Sequence, residues 1–340
     1  MFELRIWLNG VCRKEISWKP FVLSLSKHVA ATCVMRIASL EILRLCPSTG
    51  SGRTVLPTKF LLVLVLSTSY ANALTQVRAP AWRCDSDRKL TSGFEDLESP
   101  PPERPSFGSG GAFQANSYSV ASPAGLVAYY TSVPPSYAGE ALPLIIALHG
   151  AGGPGTQTLA ASTIRNTFEQ IYSVNTRFII AAPESSGSQG GWIPAQDEIK
   201  IRAVISDVKA RYNVDQNRVY GWGYSAGGQI MHGLALSDPN FVAAYTGHAT
   251  RLLPATSSYG TPETATSRVP VLLTHSTNDD TVPYSTALSD RLRFLNAGWI
   301  EQFPDVPGNF QLIPYYIGHY YNTATMQQSW DWMCVQALLP

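Results

Sequence analysis

Gly223-Tyr224-Ser225-Ala226-Gly227 is a G-x-S-x-G pentapeptide. A serine carried on a sharp turn must adopt a strained backbone, and flanking glycines remove the Cβ atoms that would clash there. The strain exposes the hydroxyl, which makes Ser225 a candidate nucleophile. A serine nucleophile needs a general base to take its proton, and an acid to fix the base's tautomer and stabilise its charged form. Acyl transfer also needs backbone N–H donors for the oxyanion. A small-residue turn that happens to contain serine reads the same in isolation, so the weight falls on whether the other parts are present, and in what order.

The base follows by elimination among six histidines. His28 lies in an N-terminal segment treated below, and His149 sits in a glycine-rich motif. His232 is on the helix after Ser225, seven residues along, and faces away from the turn. His248 follows a strand with no acid nearby in sequence. His275 precedes the candidate acid. His319, in Gly318-His319-Tyr320-Tyr321, follows the last strand and is the only histidine after that acid. The acid is Asp279, in His275-Ser276-Thr277-Asn278-Asp279-Asp280-Thr281-Val282-Pro283. Asp280 is the adjacent alternative, and one of the pair takes the structural role of an Asx turn or helix cap. Leu148-His149-Gly150-Ala151-Gly152-Gly153 follows an apolar strand and supplies the oxyanion loop. The expected donors are the N–H groups of Ala151 and Ala226. A phosphate-binding loop is disfavoured because no Lys-Ser/Thr pair follows.

These groups require elements to hold them. From about residue 113 strand and helix patterns alternate. Strands are expected over 127–133, 144–148, 178–182, 217–221, 241–245, 269–273 and 310–316. Helices are expected over 159–174, 196–212, 228–236, 285–295 and 323–338. In the helix 196–212 the face Ile199, Ala203, Val204, Val208 and Tyr212 is read as buried. The β-α-β-α rhythm predicts a mostly parallel central sheet with helices on both faces, an α/β fold. Ligands in such sheets bind at the carboxyl ends of the strands, and each motif above sits at one.

The chain has 340 residues, 45% hydrophobic and 14% charged, enough for a packed core and too little charge for disorder. No basic stripe with interleaved aromatics marks a nucleic-acid partner. Residues 1–73 hold nine Lys/Arg against three Asp/Glu, and residues 74–340 sixteen against twenty-one. The asymmetry reads as targeting. Lys59 precedes the apolar run from Phe60 to Leu66, and small residues follow to Ala71-Asn72-Ala73, the pattern of a cleaved signal peptide over 55–73. The run is far shorter than the about 20 residues a membrane-spanning helix needs. Cleavage after Ala73 predicts an exported protein, secreted or periplasmic, with no stable membrane span. Residues 1–54 show no clear periodicity and read as an upstream extension, with translation starting near Val55 or Leu56. Residues 74–112, rich in Pro and Gly, read as an extended linker or surface-hugging arm, and 113–340 as the catalytic domain. Of five cysteines only Cys84 and Cys334 lie in the mature part, and in an exported chain they are expected to pair.

The order Ser225, Asp279, His319 is that of the α/β-hydrolases. The chain resembles their polyhydroxybutyrate depolymerase and feruloyl esterase branch. The resemblance is carried by Pro143 to Gly150 (PLIIALHG), by Tyr212 to Gly228 (YNVDQNRVYGWGYSAGG) and by the segment His275–Pro283, in which the family's aspartate falls on Asp279. It spans about 113–340. It departs at the histidine loop, where Ile317-Gly318-His319-Tyr320-Tyr321 stands in place of Gly-Gly-His followed by Trp-Pro. The resemblance implies an α/β-hydrolase fold and a carboxylic ester hydrolase with no metal or organic cofactor. Its substrate would be a small or polymeric ester, short-acyl, hydroxyalkanoate or feruloyl-type. Trp192, Tyr224 and Tyr320 are the candidate substrate-binding aromatics. Two alternatives stay open: an oligopeptidase-like serine peptidase, and a non-catalytic binding protein on a hydrolase scaffold.

Overall fold

Strand β5 (Leu142–Leu148) is buried on both faces, with Leu144, Ile146 and Leu148 in one apolar cluster and Ile145 and Ala147 in another. Side chains alternate across a strand, so such a run belongs inside a sheet covered by helices on both sides. The computed structural model describes residues 16–21, 37–42, 102–109, 115–253, 259–303 and 308–338. The chain divides into two units, Met1–Tyr70 and Ala71–Pro340.

In the first unit, strands β1 (Ile16–Phe21) and β2 (Ile37–Ile42) pair antiparallel. That pair was not expected from a stretch without clear periodicity. The apolar run 60–66 and its cleavage pattern lie outside the described residues.

The second unit holds an eight-stranded sheet. Its strands are β3 (Ala115–Ser122), β4 (Gly125–Ser132), β5, β6 (Ile179–Pro183), β7 (Val214–Tyr224), β8 (Ala244–His248), β9 (Val271–Ser276) and β10 (Phe310–Tyr315). The spatial order is β10-β9-β8-β7-β5-β6-β4-β3. The six strands from β10 to β6 run parallel, and β4 and β3 join antiparallel at one edge. Helices α1 (Gln157–Glu169), α2 (Pro194–Arg211), α3 (Ala226–Ser237), α4 (Tyr284–Asn296) and α5 (Thr323–Met333) follow strands in the α/β rhythm. One core cluster packs Ile201, Val204, Val208, Met231 and Leu234 on one face of the sheet. The other packs Ile164, Phe168, Trp222, Met326 and Trp330 on the opposite face.

Three local expectations are corrected. Strand β3 was missed: its sequence Ala-Asn-Ser-Tyr-Ser-Val-Ala-Ser is polar because it is an edge strand with β4 as its one partner. On α2, Val204, Val208 and the following Tyr212 are buried as expected, but Ile199 is 40% exposed and Ala203 half-buried, and Asp197, Lys200, Ile201 and Ile205 complete the buried face. Two charged residues on the buried face masked the true stripe. Strand β8 begins three residues later than expected, at Ala244, which puts His248 at its last position rather than beyond it.

The arm is described over 102–109, where it lies on the amino end of β7. Pro105 bridges antiparallel to Asp215, and the Ser106 N–H donates to Val214 O at 2.9 Å.

Candidate active site

Strand β7 ends at Tyr224 and α3 begins at Ala226, which leaves Ser225 alone to reverse the chain. Its φ is 51° and ψ −120°, a left-handed conformation that a residue with a Cβ adopts only under strain. The turn is packed so tightly that glycine is obligatory around it. A Cβ on Gly227 would lie 2.3 Å from Leu148 O and 2.4 Å from His149 O, and one on Gly150 would meet the Tyr224 ring at 2.8 Å and Ser225 Cβ at 3.2 Å. The glycines thus let the loop after β5 lie directly against the turn. The Ser225 backbone is fastened from the end of β8. Its N–H donates to His248 O at 2.9 Å, and the Thr250 hydroxyl donates to its carbonyl at 2.6 Å. Ala249, between these two, also has a positive φ of 46°.

The structure brings Ser225, His319 and Asp279 into one line. His319 Nε2 lies 3.0 Å from Ser225 Oγ, and His319 Nδ1 lies 2.8 Å from Asp279 Oδ2. A carboxylate only accepts, so Nδ1 carries the proton and Nε2 is left to accept from the serine hydroxyl. Asp279 is 7% exposed, and its Oδ1 accepts the N–H groups of Thr281 at 2.9 Å and Val282 at 2.7 Å. Burial raises its pKa, but the hydrogen bonds from His319, Val282 and Thr281 outweigh burial and hold the carboxyl below its ordinary value. Asp280 is exposed and pairs with the Thr281 hydroxyl at 3.2 Å. Of the two neighbouring aspartates, Asp279 is therefore the one in contact with His319.

The other histidines are occupied. His275 Nε2 donates to Val282 O at 2.7 Å, and burial lowers its pKa. His232 is buried against Tyr245, its Nδ1 2.9 Å from the hydroxyl. His149 Nδ1 donates to Gly150 O at 2.7 Å and its Nε2 accepts the Ser185 N–H at 3.3 Å, which pins the loop after β5.

A cavity of about 180 Å³ lies against the turn through Tyr224, lined by residues 149–152 and by Thr156, Leu159, Ala160, Tyr224 and Tyr321; Ser225 and His319 themselves are not on its wall. Ala151 lies on this wall, and Ala226 opens α3 at the foot of the turn. The three expected substrate-binding aromatics have different surroundings. Tyr224 lines the cavity, and its hydroxyl donates to His319 O at 2.5 Å. Trp192 is absent from the cavity wall. Its indole N–H donates to His149 O at 2.8 Å and its ring lies 4.8 Å from the His149 ring, so it braces the loop from behind. Tyr320 is 70% exposed and is likewise absent from the wall, where Tyr321 stands instead. The cavity wall carries no Asp, Glu, Lys or Arg side chain. Among the described residues no group of three or more His, Cys, Asp or Glu side chains is placed to hold a metal ion, and no helix is long and apolar enough to cross a membrane.

No family model matches the chain. Over 133 residues it is 32% identical to feruloyl esterase B of Neurospora crassa, a match covering 35% of this chain and 44% of that protein. Over 145 residues it is 26% identical to the bifunctional acetylxylan esterase/xylanase XynS20E of Neocallimastix patriciarum, covering 42% of this chain and 20% of that one. The chain thus spans less than half the length of either curated relative. Among solved structures, a thermostable esterase superposes with a TM-score of 0.50 at 19% identity, over 66% of this chain and 63% of that one. The eight-stranded sheet, its strand order and this superposition show an α/β-hydrolase fold, and the curated proteins that the chain resembles in sequence are esterases.

Proposed function

We propose that the chain is a carboxylic ester hydrolase that works through an acyl-enzyme. The observation that carries this reading is the hydrogen-bonded line Ser225–His319–Asp279 ending on a serine with φ 51°. Ser225 Oγ attacks the ester carbonyl carbon as His319 Nε2 takes its proton. The carbonyl oxygen becomes an oxyanion held by the N–H groups of Ala226 and Ala151. His319 then protonates the leaving alcohol as the C–O bond breaks, and the acyl group stays on Ser225. Water, deprotonated by His319, attacks that acyl group, and the acid leaves with Ser225 restored. Asp279, ionised because its hydrogen bonds hold its pKa down, stabilises the imidazolium in both halves.

The substrate is a neutral ester with a short-acyl, hydroxyalkanoate or aromatic feruloyl-type acyl group. The uncharged cavity wall supports this, because it offers no counter-charge to a carboxylate or an amine. Tyr224 and Tyr321 present aromatic surface to that space. Export through a signal peptide over 55–73 belongs to the same proposal, as do the upstream segment 1–54, the arm 74–112 and the catalytic domain 113–340. So does the bridge Cys84–Cys334. Its support is that Cys334 is buried after α5 and disulfide-bonded; Cys84 lies outside the described residues.

The test is an assay of the purified protein, wild type and Ser225→Ala, on p-nitrophenyl esters of increasing acyl length. A feruloyl ester and an aminoacyl anilide run alongside. Ester turnover that disappears in the variant is the expected result, and the acyl-length profile selects the substrate class. Cleavage of the anilide alone would replace the esterase reading with a peptidase. Absence of all turnover, with no labelling of Ser225 by a fluorophosphonate, would leave a non-catalytic binding protein. N-terminal sequencing of the exported protein checks cleavage after Ala73.

A further inference from the structure

Resting on the esterase reading, the geometry points to His248 as a positioning residue that holds the nucleophile and the base at their working distance. His248 is the last residue of β8, fully buried, and outside the Ser–His–Asp line. Its backbone carbonyl accepts the Ser225 N–H at 2.9 Å. Its side chain reaches the other partner: Nε2 lies 2.9 Å from the carbonyl oxygen of Tyr320, the residue after His319. A carbonyl only accepts, so Nε2 carries the proton, and Nδ1 is free to accept the Thr274 hydroxyl at 2.7 Å. The ring lies between Trp222, with centroids 5.5 Å apart, and Tyr315, at 5.1 Å and an interplanar angle of 9°. The Tyr315 hydroxyl is 2.8 Å from the same Nε2. Burial lowers the pKa of His248 to about 4, so it stays neutral with this proton in place across the working range.

Two side chains of the loop that carries His319 are largely exposed, so the loop relies on contacts to its backbone. Tyr316 is 75% and Tyr320 70% exposed. Before His319 the loop is fastened by Ser276 Oγ, which accepts the N–H groups of Ile317 and Gly318, each at 3.0 Å. At His319 itself the carbonyl takes the Tyr224 hydroxyl. After His319 the Tyr320 carbonyl is held by His248 Nε2 at 2.9 Å and, more weakly, by the Tyr315 hydroxyl at 3.5 Å. One residue therefore ties the Ser225 backbone to the far side of the base. Losing that tie lets the imidazole drift relative to Ser225 Oγ, and a displacement of about 1 Å can cost about 100-fold in rate.

Two isosteric amides separate this role from general packing. In His248→Gln the amide N–H falls near the Nε2 position and can still donate to Tyr320 O. In His248→Asn the amide falls near Nδ1 and cannot. Both are polar and similar in size, so a purely structural role would affect them alike. The purified full-length proteins are compared on p-nitrophenyl acetate, with folding checked by circular dichroism and melting temperature. The expected result is a kcat about 100-fold lower in the Asn variant at unchanged KM, with most of the loss recovered in the Gln variant. Wild-type kcat in the Asn variant, equal impairment of both, or a loss confined to KM would each overturn the assignment. If the Asn variant does not fold, Thr274→Val takes its place. It keeps the ring but removes the donor that fixes its tautomer, and it must lower kcat without raising KM. A wild-type protein that neither turns over esters nor labels at Ser225 would overturn the esterase reading and this inference together; active wild type with insensitive variants would overturn this inference alone.

Discussion

The two ends of strand β7 are built on opposite principles. At the amino end Asp215 is fully buried and ion-paired with Arg218, itself 6% exposed. The same carboxylate accepts the N–H groups of Arg104 at 3.0 Å and Asn217 at 3.1 Å. The arm residues 102–106 lie along this end, with Asn217 Nδ2 donating to Pro102 O and Gln216 N–H to Arg104 O. At the carboxyl end, eleven residues on from Val214, the chain carries the strained Ser225, with the His319 imidazole 3.0 Å from its hydroxyl. One end uses buried charge to lock two segments together. The other stores strain so that one oxygen is presented. The contrast separates stability from chemistry along a single strand, and substitutions at each end should move one property and leave the other alone.

The largest expected effect is at the carboxyl end. Ser225→Ala should lower kcat on p-nitrophenyl esters by about 10⁶-fold, as serine removal does in other serine hydrolases, with little change in melting temperature. Residual turnover near the wild-type level would move the nucleophile elsewhere. Asp279→Asn should cost about 10⁴-fold, because the amide leaves His319 in the wrong tautomer. The neighbouring Asp280→Asn should leave kcat within about 2-fold, its carboxylate being exposed and outside the line. The Asp279 variant also carries a pH signature. A carboxylate with a depressed folded-state pKa contributes stability that is present above its unfolded value of about 3.9 and is lost as pH falls through the folded value. The melting-temperature gap between wild type and Asp279→Asn should therefore be open at neutral pH and close in acid. A gap independent of pH would sink the assignment of the charged form.

At the amino end the signs reverse. Asp215→Asn removes a fully buried carboxylate that pairs with Arg218 and accepts two backbone N–H groups, at a cost of about 3–5 kcal/mol. For a unit of this size that lowers Tm by roughly 10 °C. Below its own melting temperature the variant should keep wild-type kcat. A catalytic defect without a stability defect would break the separation of the two ends.

How much of this was readable in the sequence follows the same division. The carboxyl end announces itself locally: a strand, a G-x-S-x-G turn and a helix are contiguous, and their chemistry restricts what can follow. The sequence favoured Asp279 through the family resemblance but left the adjacent Asp280 open; in the structure burial and the N–H groups of Thr281 and Val282 distinguish them. His248 was passed over because its partners Thr274, Tyr315 and Tyr320 lie 26 to 72 residues away and none is an acid. The buried face of α2 was read only in part, Val204, Val208 and Tyr212 correctly and Ile199 not, because Asp197 caps the N–H of Ile193 from inside the core at 2.6 Å and Lys200 reaches Ser186 Oγ at 2.8 Å. Hydrophobic periodicity is blind to a charge that is buried for such reasons. Trp192 read as a cleft aromatic from its place beyond β6, yet its N–H is committed to the backbone of His149.

The smallest expected effect tests whether the arm belongs to the locked end. Ser106 Oγ lies 2.9 Å from the carbonyl oxygens of both Lys209 and Tyr212, and accepts the Val214 N–H at 2.9 Å. It therefore joins the arm to the last turn of α2 and the first residue of β7 in one hydroxyl. In Ser106→Ala the Val214 N–H loses this acceptor, and a buried donor left without a partner costs about 1–3 kcal/mol. Tm should fall by a few degrees, less than in Asp215→Asn. Because Ser225 and the cavity are at the other end of β7, kcat and KM should stay at wild-type values. Asp215 holds the arm at Arg104 and Ser106 holds it two residues on, so the effects of the two variants on Tm should combine less than additively. Full additivity would mean that the arm and the buried ion pair stabilise the strand independently, and the locked end would then be two devices rather than one.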